Sequence, residues 1–511
     1  MLAHINSFGL NGITGYLVEV EIDINKGMPV YETVGLADTA IKESRERVRS
    51  AIKNSGFLYP TTRVTINLAP ADTKKNGAVY DLAISLGLLA ATEQIDYAAL
   101  KKYIVLGELS LDGRVRHING LLPTLISARE QGRKDFIIPL ENFKEASYIS
   151  GVNIFPVKSL GHAVGFLSGT QRLEPIPCSD FSDILRSNSC RLGDFALVKG
   201  QYRAKRALEI AAAGGHNVIM IGPPGSGKTM LAKAFPSILP DLTVNEALES
   251  TKIHSVAGVL DPTCGIISVR PFRAPHHTAS TVALTGGGSA AKPGEISLAH
   301  NGVLFLDELP EYSRSALETL RQPLEDGAII VARAARTVEY PANFLLIASM
   351  NPCPCGHYGS ARHECSCSPA MIQKYLSKLS GPLMDRIDLH IEVDNVEYDD
   401  LTAPVTGERS EAIKIRVDRA RAVQNARYAA DKIYSNSQMT QSHIAEFCVL
   451  DAGSDRLLKA AFDKLKLSAR AHNRILKVAR TIADLDGSQS IQIKHLTEAI
   501  QYRSIDRMTA V

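Results

Sequence analysis

The chain has 511 residues, 45% hydrophobic and 22% charged, a balance that suits a globular protein of about three domains with large cores of its own. A formal net charge of only +3 excludes binding nucleic acid through a global field and leaves that task to local patches. The opening Met1-Leu-Ala-His-Ile-Asn6 lacks the basic and apolar regions of a secretory signal, and no apolar run nears the ~20 residues of a membrane helix, so a cytoplasmic protein with no membrane partner is expected.

Residues 1–168 alternate between strand and helix patterns. Val18–Asp23 and Val64–Leu68 alternate as half-buried strands do; Ile41–Ser55 carries apolar residues at helical spacing, and Tyr80–Ala91 reads as a buried helix. Leu167–Leu192, rich in Pro, Ser, Thr and Asp without periodicity, reads as a linker, placed at 169–193. From Asp194 the rhythm becomes that of a nucleotide-binding α/β unit, 194–396. A basic helix, Gln201–Ala213, precedes the apolar strand Asn217–Gly222. Past Glu397 strands are scarce, and 397–511 is predicted as a helical lid with helices at Ser410–Ala430, Asp455–Asp484 and Ile493–Tyr502.

Between strand and helix, Gly222-Pro223-Pro224-Gly225-Ser226-Gly227-Lys228-Thr229 matches the P-loop pattern. Its glycines let backbone N–H groups turn around phosphate oxygens, and the helix start adds positive potential. Lys228 would reach the β- and γ-phosphates of ATP, and Thr229 would offer its hydroxyl to Mg²⁺. Gly302–Glu308 is an apolar strand ending in two carboxylates: Asp307 to hold Mg²⁺, Glu308 to orient the attacking water. A third strand, Phe344–Met350, ends at Asn351, whose amide could sense the γ-phosphate, hold the water, or merely cap a helix.

Four thiols follow within fifteen residues, Cys353, Cys355, Cys365 and Cys367. Four soft ligands suit tetrahedral zinc in a clasp at 353–367, although C-x-C strains chelation more than C-x-x-C. His357 and His363 are substitute ligands, and free thiols or a redox disulfide are the other readings. Two inserts could meet DNA. One spans Arg270–Lys292 and brings Arg273, His276, His277 and Lys292; the other, Ala328–Val338, has hairpin alternation with Arg333 and Arg336 near its tip. Positive tips can track phosphates without reading sequence, and a solvated hairpin with a packed histidine pair is the plain alternative. Ile413–Arg421 is also basic, as many solvated helix faces are.

Several segments are more specific than a P-loop: Ser7-Phe-Gly-Leu-Asn-Gly-Ile13, Val34-Gly-Leu-Ala-Asp38, Arg270–Ser280, Pro293–Gly302 and Asn351-Pro-Cys-Pro-Cys-Gly356. On these the chain resembles, over nearly its whole length, the ComM/YifB family of magnesium-chelatase-like AAA+ ATPases. The resemblance implies an α/β fold: an AAA+ P-loop core, a Lon-protease-like α+β amino-terminal domain and a carboxy-terminal helical lid. It implies a homo-hexameric motor or helicase on single-stranded and branched DNA, acting in branch migration during natural transformation, with recombination proteins as partners. It assigns Asn351 to the sensor 1 position and Arg386 to an arginine finger that enters the neighbouring subunit's site. Arg470 fits sensor 2, with Arg474 one turn away as the alternative, and Val198–Gln201 lies against adenine. It also places Val79 and Leu122 where the Lon serine and lysine would stand, which implies a protease fold without its chemistry. The rival reading is a chelatase-type motor that remodels a protein partner.

Overall fold

The computed structural model describes residues 2–181, 193–288, 291–333, 336–359, 363–395, 407–431, 433–465 and 467–503. The first strands, β1 (Leu2–Asn11) and β2 (Thr14–Asn25), lie antiparallel from Leu2 opposite Asp23 to Asn11 opposite Thr14. With β3 (Tyr31–Val34), β4 (Arg63–Ala69) and β5 (Ile104–Val105) they begin a mixed sheet, and β6 (Glu108–Leu109) and β7 (Val115–Arg116) form a small hairpin beside it. Adding β8 (Asp135–Pro139) and β9 (Asn153–Val157) completes the order β3-β4-β2-β1-β5-β8-β9. The predicted strands at Val18 and Val64 fall within β2 and β4.

The predicted helices are α1 (Thr39–Asn54) and α2 (Asp81–Ala91). Helix α1 starts where the Asp38 carboxylate accepts the Ile41 N–H at 2.9 Å. All of α2 is buried, which is why its sequence is apolar on every face. Helix α3 (Leu121–Glu130) packs behind β2.

Nine further strands follow: β10 (Val218–Ile221), β11 (Phe272–Arg273), β12 (Gly286–Gly287), β13 (Lys292–Pro293), β14 (Val303–Leu306), β15 (Ala328–Arg333), β16 (Arg336–Pro341), β17 (Leu345–Met350) and β18 (Leu389–Glu392). Five of them form a wholly parallel sheet, β11-β14-β17-β10-β18. Its central strands are buried along their whole length, hence their unbroken apolar runs. The carboxyl ends of parallel strands converge on one edge, and there the chain sets Gly222, Asp307 and Asn351.

Helices α4 (Tyr202–Gly214), α5 (Lys228–Ala234) and α6 (Val244–Ala257) join these strands. The carboxy-terminal part is helical: α7 (Ser410–Arg427), α8 (Ala452–Leu465), α9 (Ala469–Leu485) and α10 (Ile493–Gln501). One core runs from β10 through α4 to these helices, with Val218, Leu208, Val417, Ile475 and Leu496 in contact.

The single helix expected over Asp455–Asp484 is two. The Ser468 hydroxyl accepts the Ala471 N–H at 3.2 Å and starts α9 afresh, although apolar spacing continues across the break. Two arginines of α7 are paired inside the chain: Arg416 meets Glu209 at 2.5 Å, and Arg421 donates to the Tyr434 carbonyl at 2.9 Å. Of the expected linker, 182–192 lie outside the described residues, as do 396–406 and 504–511 of the expected lid.

The two sheets are joined through α3 and α6. The Gly120 N–H donates to the Ser255 hydroxyl at 3.0 Å, and Ser255 in turn donates to the buried Glu145 carboxylate. Between them lies a cleft of about 290 Å³ lined by Phe8, Val79, Asn119, Val256, Lys292 and Tyr340.

Candidate functional site

The phosphate loop leaves β10 under tight constraint. A Cβ on Gly222 would stand 2.0 Å from the Val393 carbonyl oxygen at the end of β18, so only glycine lets the loop pass there. Gly225 and Gly227 sit at φ +79° and +90°, with no heavy atom within 4 Å of where a Cβ would point. Both occupy the left-handed region that glycine adopts freely. The Lys228 ammonium donates to the carbonyls of Gly222 (2.7 Å) and Pro223 (2.8 Å), and lies 3.3 Å from the Ser226 hydroxyl and 3.4 Å from Asn351 Oδ1. Burial lowers its pKa, opposed by the negative charges of Asp307 and Glu308.

Beside the loop, the Thr229 hydroxyl donates to Asp307 Oδ2 at 2.9 Å. The other Asp307 oxygen accepts the Ser349 hydroxyl and, at 3.0 Å, the Glu308 N–H. Glu308 is held at φ +52°, a left-handed conformation that costs an L-residue roughly 1–2 kcal/mol. Its carboxylate stands 3.2 Å from His277 Nδ1. The pattern brings together Lys228, Thr229, Asp307, Glu308 and Asn351 from three strand ends. A hydroxyl–carboxylate pair beside an ammonium and a second carboxylate can hold a divalent cation and orient a water against a phosphate. The Gln201 amide donates to the Ser226 carbonyl at 3.0 Å, so Val198–Gln201 borders the loop.

Arg386 sits elsewhere. Its side chain is only 6% exposed and is ion-paired with Glu325, while its Nη1 donates to the Pro382 carbonyl at 2.5 Å. Arg470 is exposed and 3.8 Å from Asp385, whereas Arg474 is tied to Asp388. Burial works against the Asp388 charge, yet Arg474 and the 3.0 Å contact from His216 hold its carboxyl well below the usual carboxylate range. Arg470 is therefore the freer of the two arginines.

The four thiols cluster. Cys353 Sγ is 3.4 Å from Cys355 Sγ and 3.7 Å from Cys365 Sγ, Cys355 and Cys365 are 3.6 Å apart, and all four sulfurs lie within 4.8 Å of one another. Four sulfurs about 2.3 Å from one zinc stand about 3.8 Å apart at tetrahedral angles, so the set fits the ion. Disulfide sulfurs stand at about 2.05 Å, well inside these separations. His357 and His363 lie against each other, ring centres 4.9 Å apart and tilted by 50°, and take no place in the cluster. Gly356, inside this loop, abuts the P-loop: a Cβ there would be 2.6 Å from Pro224 Cδ.

The residues expected at DNA part company. Arg273 lies in β11 with Nε and Nη2 donating to Glu295 (2.6 and 2.7 Å), so it belongs to the sheet and not to a free tip. His277 faces Glu308 and stacks on His276 at 4.1 Å. Lys292 is exposed in β13, at the mouth of the cleft. Strands β15 and β16 form the expected hairpin, with Arg333 opposite Arg336; those two side chains lie outside the described structure. Leu122 is buried, and its N–H donates to the Glu145 carboxylate at 3.0 Å; Val79 lines the cleft. Sequence reading missed the roles of Ser349 and Glu325 and the contact of His277 with Glu308. All three act on partners far away in the chain.

Comparison with known proteins gives three family matches: "Magnesium chelatase, subunit ChlI" over residues 194–401, "Subunit ChlI of Mg-chelatase" over 20–142, and "Magnesium chelatase, subunit ChlI C-terminal" over 407–503. The chain is 42% identical to the competence protein ComM of Haemophilus influenzae, over 99% of this chain and 98% of that protein. It is 45% identical to the uncharacterized protein YifB of Escherichia coli, over 97% and 96%. A magnesium-chelatase 67 kDa subunit of Chlorobaculum parvum is 32% identical over 31% of this chain and 23% of its own length. No helix among the described residues is long and apolar enough to cross a membrane.

Proposed function

The chain belongs to the magnesium-chelatase family of AAA+ proteins, in the group that holds ComM and YifB, and from that premise we propose a cytoplasmic, hexameric, ATP-driven DNA translocase that promotes branch migration during recombination of incoming DNA. The hydrolytic part of this reading rests on one observation above the rest: Thr229 and Asp307, 78 positions apart, meet at 2.9 Å between Lys228 and Glu308.

ATP phosphates face the backbone N–H groups of the loop and the start of α5. Lys228 exchanges the carbonyls of Gly222 and Pro223 for phosphate oxygens. Thr229 and Asp307 would hold Mg²⁺, which when bound would supply neutralising charge beside the phosphates. Glu308 turns from His277 to orient the attacking water, and Asn351 steadies the γ-phosphate from beside Lys228. Arg386 enters the neighbouring subunit's site as charge develops there. Arg470, 3.8 Å from Asp385 one residue before Arg386, is assigned to the same boundary.

We divide the chain at 1–168, 169–193, 194–396 and 397–511. The first unit is a Lon-type fold in which Val79 and Leu122 offer neither nucleophile nor base, used for assembly or DNA contact. Cys353, Cys355, Cys365 and Cys367 hold zinc in a clasp against the P-loop. DNA as the track is supported by near full-length similarity to a protein named for competence. The surfaces assigned to DNA are His276, Lys292 and the hairpin bearing Arg333 and Arg336. Recombination proteins are partners in this reading. The partial likeness to a magnesium-chelatase subunit favours a second reading, in which the same motor remodels a protein.

The test is a synthetic four-way junction with one labelled strand. Strand exchange that needs ATP and is lost in Lys228→Ala is expected. Absence of junction movement, with turnover stimulated by a protein instead, would favour the second reading.

A further inference from the structure

Three other guanidinium groups act on Arg386 through their charge: Arg321, Arg470 and Arg474. All three have carboxylates that lie outside the helix leading into the hairpin. Arg321 is 2.8 Å from Glu318, Arg470 is 3.8 Å from Asp385, and Arg474 is joined to Asp388. Arg386 alone is held by a residue at the foot of β15. That residue, Glu325, is 53% exposed while Arg386 is 6% exposed. An exposed carboxylate thus covers a buried cation, whose pKa is lowered by burial and by the neighbouring arginines.

Glu325 lies in the last turn of the short helix Arg321–Asp326, which ends at Gly327 in a left-handed conformation (φ +64°). The Gly327 N–H donates to the Pro323 carbonyl at 3.0 Å, and its carbonyl accepts the Ala342 N–H at 2.7 Å. Gly327 therefore ties Glu325 to both legs of the hairpin, one beginning at Ala328 and the other ending at Pro341. The hairpin is stiffened by a full ladder and by a buried face of Ile329, Val331, Val338 and Tyr340. Six residues per strand span roughly 20 Å, and a stiff hairpin carries a displacement along its length to the foot. A hydrogen bond of ordinary length is lost when its partners part by about 1 Å.

We propose that Glu325 is a latch on Arg386, opened when the hairpin β15–β16 engages DNA, so that a subunit presents its arginine to the neighbouring site only while it grips the strand. This rests on the reading of Arg386 as a finger acting in trans. Glu325 is a positioning residue: it touches no nucleotide and acts through Arg386.

The experiment measures ATP turnover of the full-length protein with and without single-stranded DNA. Glu325→Gln is expected to raise DNA-free turnover roughly fivefold, the scale of an ordinary coupling between sites, while the DNA-stimulated rate stays near that of the parent. The stimulation ratio then falls. Glu325→Asp, which keeps the charge, is expected to restore most of the ratio. The double variant with Arg386→Ala is expected to turn over as slowly as Arg386→Ala alone, with or without DNA. A Glu325→Gln protein with an unchanged ratio, or with both rates lowered together, would overturn the latch while leaving the finger standing. Full turnover in Arg386→Ala would overturn the finger itself, and a parent protein indifferent to DNA would overturn the latch together with the DNA reading, leaving the finger standing.

Discussion

Gly222→Ala tests whether the phosphate loop is positioned by its close approach to β18. The added Cβ would stand 2.0 Å from the Val393 carbonyl oxygen and 3.2 Å from the Ser226 hydroxyl. A comfortable C···O contact is about 3.3 Å, so the loop and strand must part by about 1.3 Å. The strands resist, because the Val393 N–H donates to the Ile221 carbonyl at 2.8 Å and the Gly222 N–H to Met350 at 3.2 Å. The loop has fewer ties and moves instead. Overpacking of this kind costs about 1–3 kcal/mol, which in a unit of this size lowers Tm by about 2–4 °C per kcal/mol. A 1 Å misplacement of phosphate-binding groups lowers turnover by roughly 10²-fold. The assay is steady-state ATP hydrolysis beside thermal unfolding. Gly161→Ala serves as control, since no heavy atom lies closer than 4.0 Å to its Cβ. Turnover within a few-fold of the parent at unchanged Tm would refute the reasoning.

If hydrolysis occurs between subunits, Lys228→Ala and Arg386→Ala each fail alone, the latter by roughly 10³-fold. Mixed before assembly they recover activity, because some boundaries pair an intact loop with an intact arginine; no recovery at any ratio counts against a composite site. Metal analysis is expected to find one zinc per chain, and Cys365→Ser to lower both that occupancy and Tm. Far less than one equivalent in the parent would return the cluster to free thiols. Asp388→Asn leaves Arg474 without its charge partner and is expected to lose roughly 3 kcal/mol at pH 7. The Asp388 carboxyl is depressed in the folded state, so its stabilisation is complete above the unfolded value and fades as pH falls. In denaturant titrations the gap between parent and variant should hold from pH 8 to 6 and narrow below about pH 5. A gap that widens on acidification contradicts the ion pair.

What the sequence made legible was local or periodic. The loop Gly222–Thr229 and the pair Asp307–Glu308 each occupy one contiguous run, because phosphate and metal chemistry needs those residues at the end of a strand. The buried runs of β10, β14 and β17 announced themselves as strands. The four cysteines were legible for the same reason. Partners made by tertiary folding were not: Arg386 meets Glu325 across 61 positions, and Asp307 meets Ser349 across 42. Arg273 looked free for DNA because Glu295, which claims it, lies 22 positions on. The break at Ser468 was hidden because apolar periodicity runs through it and only the cap marks it.

The most direct test of a DNA-driven motor is ATP turnover by the purified protein with and without single-stranded and forked DNA, beside Lys228→Ala. The account predicts turnover that DNA stimulates and that vanishes in the variant. Hydrolysis indifferent to every DNA tested, or surviving in Lys228→Ala, would contradict it.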